Sequence, residues 1–418
     1  MNSIILPIKL AWQSLILHKG RTILTIIGIV IGIAAVIIVM SAGESLKGLV
    51  LGQMEAFGND IIQVEPKVPS TARNSVDNAT SMAQGVQITT LKLSDAQAGL
   101  KVPNIKDYYA GIFGQAVISF NEENKSISYL GVSPAFFEID QSKMAQGRPF
   151  TNEEDNDLVK VAVLGNKVAE KLFGNGQPLG QSVKMGKNKF LVVGVLQEKG
   201  NYMGVMDFDN IIYLPIKTAQ KIMLGVDYVM WITFQVKNTA YSDQTADDLT
   251  QLMRERHQIA KDNGDDFTVT TMAEATDMIN SIFGGITLLL VAIAGISLIV
   301  GGVGIMNIMY VSVTERTFEI GLRKAIGAKK RQILWQFLSE AIAVTLAGGI
   351  LGIIFGVVFS ALTSLIAGQF GLVWDFILPP ESIIIAFGFC GAVGLVFGYY
   401  PAQKAAKLDP ISALRQHE

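Results

Sequence analysis

Four long stretches without a formal charge dominate this chain of 418 residues. They cover residues 22–43, 278–314, 341–374 and 382–403. A helix crosses a bilayer with about 20 apolar residues, so each stretch can supply one span. Only 17% of the residues are charged, against about 25% in soluble domains. Because the deficit is concentrated in these stretches, it indicates a membrane protein rather than an unusually apolar soluble core.

We predict four membrane-spanning helices separated by segments of very different length. The predicted spans are 22–43, 283–312, 335–367 and 382–403. No Asp, Glu, Lys or Arg is expected inside the membrane, whereas such residues mark the routes of ions and protons through transporters. This absence argues against a channel or a secondary transporter.

The distribution of Lys and Arg orients the spans, because loops rich in these residues stay in the cytoplasm. Six of them lie in 315–340 and three in 1–21, whereas 369–381 holds none. We therefore predict that both termini and the segment 313–332 are cytoplasmic and that 369–381 is a short external loop. Residues 1–21 are predicted to form a cytoplasmic amphipathic helix rather than a cleaved signal peptide, and 404–418 a cytoplasmic tail.

The large insertion at 44–281 is predicted to be an extracytoplasmic α+β domain on a helical stalk. Apolar residues at helical spacing prolong the adjoining spans at 44–57 and 267–282. The predicted stalk residues are Leu46, Leu49, Val50, Met54, Met278 and Ile279. An ordinary linker hairpin remains the alternative. Between the stalk helices, strand and turn signals predict an α+β unit made of 60–125 and 211–270, with an inserted subdomain at 126–210.

Small residues recur every fourth position in the spans, a pattern that lets helices approach closely in membranes. Gly28 and Gly32 form one such pair, and Gly348, Gly352 and Gly356 form a longer series. Two interpretations remain open. The glycines pack the four helices of one chain together, or Gly28 and Gly32 lie at the face of a dimer.

No constellation of residues in the sequence is typical of catalysis or of metal binding. The segment 180–188 looks like a phosphate loop at first sight. It has five residues between Gly180 and Gly186 where the loop needs four, and Asn188 stands where Ser or Thr would hold magnesium. We predict no catalytic residue, no metal site and no nucleic-acid partner.

The charged segment between the second and third spans is predicted to contain a helix at 315–327. Phe318, Leu322, Ala325 and Ile326 share one face of this helix. The opposite side carries Glu315, Arg316, Glu319 and Arg323. Two interpretations fit: a helix that lies on the membrane surface, or a docking helix whose Phe318 fills a pocket on a cytoplasmic protein.

Several motifs of the chain resemble those of the MacB/FtsX-type ABC transporter permeases. The charged segment Thr314–Ala328 resembles the cytoplasmic loop of that family, and the tail Pro401–Arg415 resembles its C-terminal signature. Further similar motifs are Gly301–Met309, His18–Thr25, Gly147–Phe150, Leu172–Gly174 and Pro178–Gly180. The resemblance therefore extends over nearly the whole chain.

This resemblance implies a homodimeric permease of the plasma (inner) membrane of a bacterium, in contact with membrane lipids and bound to two MacB-type ATPase subunits. No acceptable phosphate loop is present, so the ATPase is expected on a separate polypeptide, which would bind ATP and magnesium. The permease itself is not expected to be an enzyme. The residues implied in coupling to the ATPase are Glu315, Arg316, Phe318, Glu319, Gly321, Leu322, Arg323, Lys324 and Ile326.

The family also implies a mechanism in which ATP binding closes the dimer and zips the stalks together, so that the outer domain acts on a substrate outside the bilayer. A MacA-like membrane-fusion protein is an expected partner. We predict export or efflux of peptides, antibiotics or similar amphipathic compounds. The alternatives are release of lipoproteins from the membrane and FtsX-like regulation of cell-wall hydrolases.

Overall fold

The architecture comes from a computed structural model. It describes residues 19–55, 58–70, 88–120, 123–174, 176–199, 207–260, 264–369 and 374–415. The chain divides into two compact units, one formed by 1–49 with 279–418 and the other by 50–278. The predicted helix at 1–21 lies almost entirely outside the described residues, and only 19–21 are seen, at the start of helix α1 (Lys19–Glu55).

The unit at 50–278 is built on a sheet that has ten strands among the described residues. The strands are β1 (Ile61–Ser70), β2 (Ile105–Phe120), β3 (Glu123–Val132), β4 (Met144–Gly147), β5 (Val161–Leu164), β6 (Ser182–Met185), β7 (Asn188–Leu196), β8 (Ile211–Pro215), β9 (Trp231–Val236) and β10 (Asp265–Thr271). Their order is β10-β1-β9-β2-β3-β8-β5-β7-β4, and β6 pairs with both β2 and β7.

Short helices connect the strands and cover the sheet. They are α2 (Leu93–Gly99), α3 (Phe136–Ile139), α4 (Asn152–Asn156), α5 (Asn166–Phe173), α6 (Ile216–Thr218, continued by a π-helical turn Ala219–Leu224) and α7 (Ser242–Arg256). Single 3-10 turns lie at Phe208–Asn210 and Thr239–Tyr241. The segment that resembles a phosphate loop forms the β6–β7 hairpin, with Gly186 in its turn at a φ of 57°.

The predicted inserted subdomain at 126–210 is wrong as a separate body. Its strands continue the sheet of the flanking segments, because β6 pairs with β2 and β3 pairs with both β2 and β8. One buried core combines Ile62 and Phe234 of the flanking segments with Phe190 of the predicted insertion. Periodicity along the chain shows where strands occur, but it does not show which strands share a sheet.

The second predicted stalk helix begins later than expected. Residues 267–271 form the end of β10, whose β-branched residues pair with β1 and whose Phe267 and Thr271 are buried. The helix starts at Met272, where Thr271 and Glu274 form a reciprocal cap: the Glu274 amide donates to Thr271 Oγ1 at 3.1 Å, and the Thr271 amide donates to Glu274 Oε2 at 3.2 Å. The first predicted stalk helix, 44–57, is part of α1 as far as Glu55, and residues 56 and 57 lie outside the described ones.

The largely buried side chain of His257 connects three elements of the unit at 50–278. His257, at the end of α7, lies with Nδ1 2.8 Å from Asp266 Oδ1 of β10 and Nε2 3.5 Å from Asp95 Oδ2 of α2. Arg256 Nε also donates to Asp95 Oδ1 at 2.6 Å. Hydrogen bonds to Asp266 and then to Asp95 raise the pKa of His257 to about 9. The imidazolium therefore joins α2, α7 and β10 at neutral pH.

This cluster predicts a pH dependence of stability. Because the folded-state pKa of His257 lies above its unfolded value, the stabilisation is fully present below about pH 6.5 and is lost as the pH rises through about 9. We expect the melting temperature of the purified full chain to fall over this window, and the decline to be shallower in His257→Gln. The difference at pH 7 should be roughly 1–2 kcal/mol after screening. Parallel pH profiles for the two proteins would contradict the assignment.

The other unit contains the membrane helices. After α1 it continues with α8 (Met272–Glu315), α9 (Thr317–Ala325), α10 (Lys330–Gln369), α11 (Pro380–Lys407) and α12 (Pro410–Arg415). Within the described residues, α1 over Ile26–Gly52 and the whole of α8, α10 and α11 are long and apolar enough to cross a membrane. The predicted number of spans is thus confirmed. The segment predicted as the external loop, 369–381, has residues 370–373 outside the described ones and enters α11 at Pro380.

Glycine-lined contacts give the directions of these helices. A Cβ added to Gly348, Gly352 or Gly356 of α10 would meet Ile29, Ile33 and Ile37 of α1 respectively, so these two helices are parallel. On α11, Gly394 faces Thr345 and Gly398 faces Ala341, so α10 and α11 are antiparallel. The segment α9 therefore lies at the same end of the bundle as the last residues of α11, and residues 374–379 lie at the opposite end.

Gly28 and Gly32 pack within the chain. A Cβ on Gly28 would lie 3.4 Å from the Gly301 Cα, and one on Gly32 would lie 2.8 Å from Leu298, both on α8. This packing agrees with the interpretation that the glycines bring the helices of one chain together. The face that these glycines form is occupied by α8 of the same chain, so the second interpretation, a dimer contact at this face, is wrong.

Candidate functional site

The charged segment between α8 and α10 folds into the short helix α9. Arg316 precedes it, and the chain leaves it at Ile326 and turns at Gly327, whose φ of 102° favours glycine. The observed helix, Thr317–Ala325, is two residues shorter at each end than the predicted 315–327, and Glu315 still belongs to α8. The Lys and Arg residues that follow at 329–331 are exposed.

One face of α9 presents large apolar side chains to the surroundings. Phe318 is 42% exposed, Leu322 49% and Ile326 80%. The three positions are four residues apart, so they form one row along the helix and the turn that follows it. Ala325 is exposed beside them. These are the residues that the sequence places on one face, and no described part of the chain covers that face fully.

The opposite face of α9 is buried, and its centre is a residue that sequence reasoning missed. Ile320 is 3% exposed and belongs to the core of the membrane unit. Thr317 and Gly321 are buried beside it. A Cβ on Gly321 would lie 2.8 Å from the Ala413 Cβ of α12, so the glycine allows the tail helix to approach closely. Ile320 interrupts the side predicted as charged, and this apolar position is the signal that could have revealed the buried face.

Arginine side chains fix α9 to the first turns of α10. Arg316 Nη1 lies 3.3 Å from Glu340 Oε1, and the Glu340 side chain is only 4% exposed. Arg323 Nη1 donates to Gln336 Oε1 at 2.6 Å, and its other terminal nitrogen pairs with Glu319, four residues earlier on the same helix. A shallow pocket between the two helices is lined by Arg316, Glu319, Ile320, Arg323, Ile333, Gln336 and Phe337.

Glu340 corrects the expectation that no charged residue lies within the spans. It belongs to the predicted third span at 335–367 and to the apolar helix α10. Its charge is tolerated because Arg316 reaches it from the preceding segment. A buried charge without its partner costs several kcal/mol, so this pair fixes where α9 sits on α10. The pair therefore positions α9 on α10.

Lys324 points inward rather than towards a partner. Its Nζ donates to the carbonyl of Ala406 at 2.9 Å and to that of Leu408. Burial and then the nearby Lys330 lower the pKa of its ammonium group. Of the nine residues predicted for coupling, Arg316, Gly321, Arg323 and Lys324 hold α9 in place. Phe318, Leu322 and Ile326 form its exposed apolar row, and Glu315 and Glu319 are exposed.

The predicted stalk residues lie on two long helices. Leu46, Leu49, Val50 and Met54 are half-buried positions of α1. Met278 and Ile279 lie on α8, the first exposed and the second half-buried. Their pairing across a dimer stays a prediction. Among the described residues, no group of His, Cys, Asp and Glu side chains is arranged to hold a metal ion.

Comparison with known proteins defines the class of this molecule. Residues 22–252, more than half of the chain, match the family model of the MacB-like periplasmic core domain. Residues 291–410 match the FtsX-like permease C-terminal region. The chain therefore belongs to the MacB/FtsX-type ABC transporter permeases: four membrane helices joined to an extracytoplasmic α+β domain of the MacB type, in the inner membrane.

Relatives in the curated collection share this architecture over almost the whole chain. The macrolide export ATP-binding/permease protein MacB of Bdellovibrio bacteriovorus is 40% identical over 406 residues, which are 97% of this chain and 60% of that protein. The probable syringafactin export ATP-binding/permease protein SyfD of Pseudomonas syringae is 36% identical, over 97% of this chain and 59% of that protein. The chain thus spans about 60% of the length of these relatives.

One solved structure aligns with about half of this chain. The periplasmic region of MacB from Actinobacillus actinomycetemcomitans aligns with 55% of this chain and 97% of its own length, with 21% sequence identity and a TM-score of 0.46.

Proposed function

We propose that this protein is the permease subunit of an exporter that works by mechanotransmission. In this proposal α9 lies in the cytoplasm and is the coupling helix on which an ATPase subunit sits. The ATPase binds magnesium and ATP, and its movement reaches the outer domain through the membrane helices. No substrate passes between the four spans. Export takes place outside the bilayer.

The observation that carries the proposal is the exposed apolar row on a helix that is itself firmly held. Phe318, Leu322 and Ile326 are exposed while Ile320 is buried and Arg316 and Lys324 are anchored. A free amphipathic helix on a membrane would turn its apolar row towards lipid without needing such anchors. A helix that receives force needs both a contact face and a fixed base. The buried base and the exposed row together support docking rather than a helix that only lies on the membrane surface.

The proposed cargo is an amphipathic compound such as a peptide or an antibiotic. The relatives' names mention export of macrolides and, in a protein of Pseudomonas syringae, export of syringafactin. Another relative, from Pseudomonas putida, is named a pyoverdine exporter and is 35% identical. These names indicate export from the cell as the shared activity of the class. We extend that activity, rather than a particular compound, to this chain.

The proposed assembly contains two copies of this chain and two ATPase subunits, with a MacA-like membrane-fusion protein on the outer side. Both termini lie in the cytoplasm. The surplus of Lys and Arg in and after α9, together with the loop between α10 and α11 that lacks them, supports this orientation. In a bacterial membrane the exposed residues Lys329, Lys330 and Arg331 would meet anionic lipid headgroups, each contributing about 1 kcal/mol.

Cysteine cross-linking across the dimer tests this mechanism. Leu46→Cys and Val50→Cys, each in a Cys390→Ala background, should cross-link faster in the complex with ATP trapped than without nucleotide, because the stalks close. Cys390 is buried and free, so removing it leaves the introduced cysteine as the reactive thiol. Thr363→Cys on α10 serves as a control outside the stalk. Equal rates in both nucleotide states would contradict stalk closure.

A further inference from the structure

The ammonium group of Lys324 lies at the end of the last membrane helix. The carbonyls of Ala406 and Leu408, to which it donates, belong to the C-terminal turn of α11 and the residue that caps it. The last carbonyls of a helix have no partner within the helix, and the helix dipole makes this end negative. A half-buried cation that donates to these carbonyls satisfies both needs. Lys324 therefore caps α11 from a neighbouring helix.

The tail that follows α11 folds back onto the same helix. Asp409 accepts hydrogen bonds from the Ser412 amide at 3.0 Å and from Ser412 Oγ at 2.9 Å, which starts α12. Ala413 of α12 is buried against Gly321 of α9. A side chain at Gly321 would collide with it. The contacts at Lys324 and at Gly321 lie about one turn apart on α9, so they hold it along its length.

Covalent connections alone would give α9 a different set of neighbours. It is joined through the chain to α8 on one side and to α10 on the other. The Arg316–Glu340 pair strengthens the link to α10. The chain itself gives α9 no direct connection to α11, because 54 residues lie between the end of α9 and the start of α11. The contacts of Lys324 and of the tail provide that missing link.

We propose that residues 408–415 and Lys324 form a strap that fixes α9 to the end of α11, so that a partner that moves α9 moves α11 with it. This inference rests on the proposed coupling role of α9. It makes Lys324 a positioning residue that acts through the tail, rather than a contact for the ATPase. A movement of α9 would then be transmitted to two membrane helices, to α10 through Arg316 and to α11 through the strap.

A distance measurement between spin labels tests the strap. Labels at Ala325→Cys on α9 and Tyr400→Cys on α11, in a Cys390→Ala background, should give one narrow distance distribution in lipid nanodiscs. Replacing Lys324 with Met keeps an unbranched side chain that is one atom shorter and removes the charge and the donors. We expect this change to broaden the distribution at least twofold, without any ATPase present. Lys329→Met, an exposed lysine in the next turn, is the matched control and should leave it unchanged.

A second arm of the experiment uses the complex with the ATPase. In proteins without spin labels, which keep Ala325 of the proposed docking face intact, Lys324→Met should bind the ATPase within about twofold of the wild-type affinity. ATP-dependent cross-linking of the stalks should fall severalfold in this variant and recover in Lys324→Arg, which keeps donors and charge. A narrow distribution in Lys324→Met overturns the strap. Failure of the wild type to bind any ATPase would instead overturn the proposed function, and the first arm would still decide on the strap.

Discussion

Replacing Phe318 with Asp should weaken the binding of ATPase subunits at least tenfold. Phe318 is the aromatic residue in the exposed row of α9, and buried aromatic anchors commonly contribute about 2 kcal/mol or more to an interface. The aspartate carboxylate would also have to lose its hydration in the ATPase pocket that is proposed to receive the Phe318 ring. Since about 1.4 kcal/mol corresponds to a factor of ten, the loss should be plain in a titration of the purified permease with ATPase.

The chain offers a matched control for this substitution. Phe376 has the same exposed fraction, 42%, and lies between α10 and α11, at the end of the bundle away from α9. Phe376→Asp should therefore leave the affinity for the ATPase and the rate of ATP hydrolysis unchanged. If Phe318→Asp and Phe376→Asp bind ATPase equally well, α9 is not the docking helix.

Replacing Gly352 with Leu should strongly destabilise the membrane unit. A Cβ at this position would already lie 2.8 Å from the Ile33 Cβ and 3.0 Å from the Val30 carbonyl oxygen. The backbone of α1 cannot move aside without separating the two helices. Overpacking typically costs about 1–3 kcal/mol, and a leucine here adds three more carbons to the collision. We expect a clear fall in melting temperature in detergent and a reduced yield of folded protein.

Another glycine of α10, Gly368, provides the control for Gly352→Leu. A Cβ on Gly368, near the end of α10, would have nothing within 4 Å, so Gly368→Leu should melt close to the wild-type temperature. Ile33→Ala should partly restore Gly352→Leu, because it removes the Ile33 side chain beyond Cβ, including the Cγ2 that would lie 3.0 Å from the added Cβ. Failure of this rescue together with an equal loss in Gly368→Leu would show that leucine at any glycine of α10 is harmful, and that the contact with α1 is not the cause.

The membrane spans could be predicted from the sequence because a bilayer imposes one simple demand on the chain. An apolar stretch long enough to cross the bilayer can satisfy its backbone hydrogen bonds as a helix, and the charge-free stretches are helical over 22–43, 278–314, 341–369 and 382–403. The outer domain imposes no such rule. The hairpin between β2 and β3 spans the predicted boundary at 126, and residues 267–271 could equally prolong a helix or a strand. Tertiary pairing with β1 decided the second case.

The candidate site shows a similar division between local and tertiary information. The spacing of Phe318, Leu322 and Ile326 was enough to predict their common face, because that depends on helical geometry alone. The partners of Lys324 lie 82 and 84 residues further along the chain. No pattern near Lys324 signals them. Gly321 likewise looks like a helix-weakening residue until Ala413 is placed against it.

Glycines at every fourth position form a groove on α10, and isoleucines at the same spacing form a ridge on α1 that packs into this groove. Ile29, Ile33 and Ile37 of α1 lie against Gly348, Gly352 and Gly356, and the next position in the groove is the small residue Ser360. If α1 slid one turn along α10, about 6 Å, Ile29 would meet Gly352 and Ile37 would meet Ser360. Ile29 and Ile33 would meet glycines again, but Ile37 would meet the Cβ and hydroxyl of Ser360, and a Cβ at Gly356 would already lie 2.7 Å from the Ile37 Cβ. The glycine series thus ends where α1 now packs, so Ser360 acts as a stop that holds the parallel pair α1–α10 in one register.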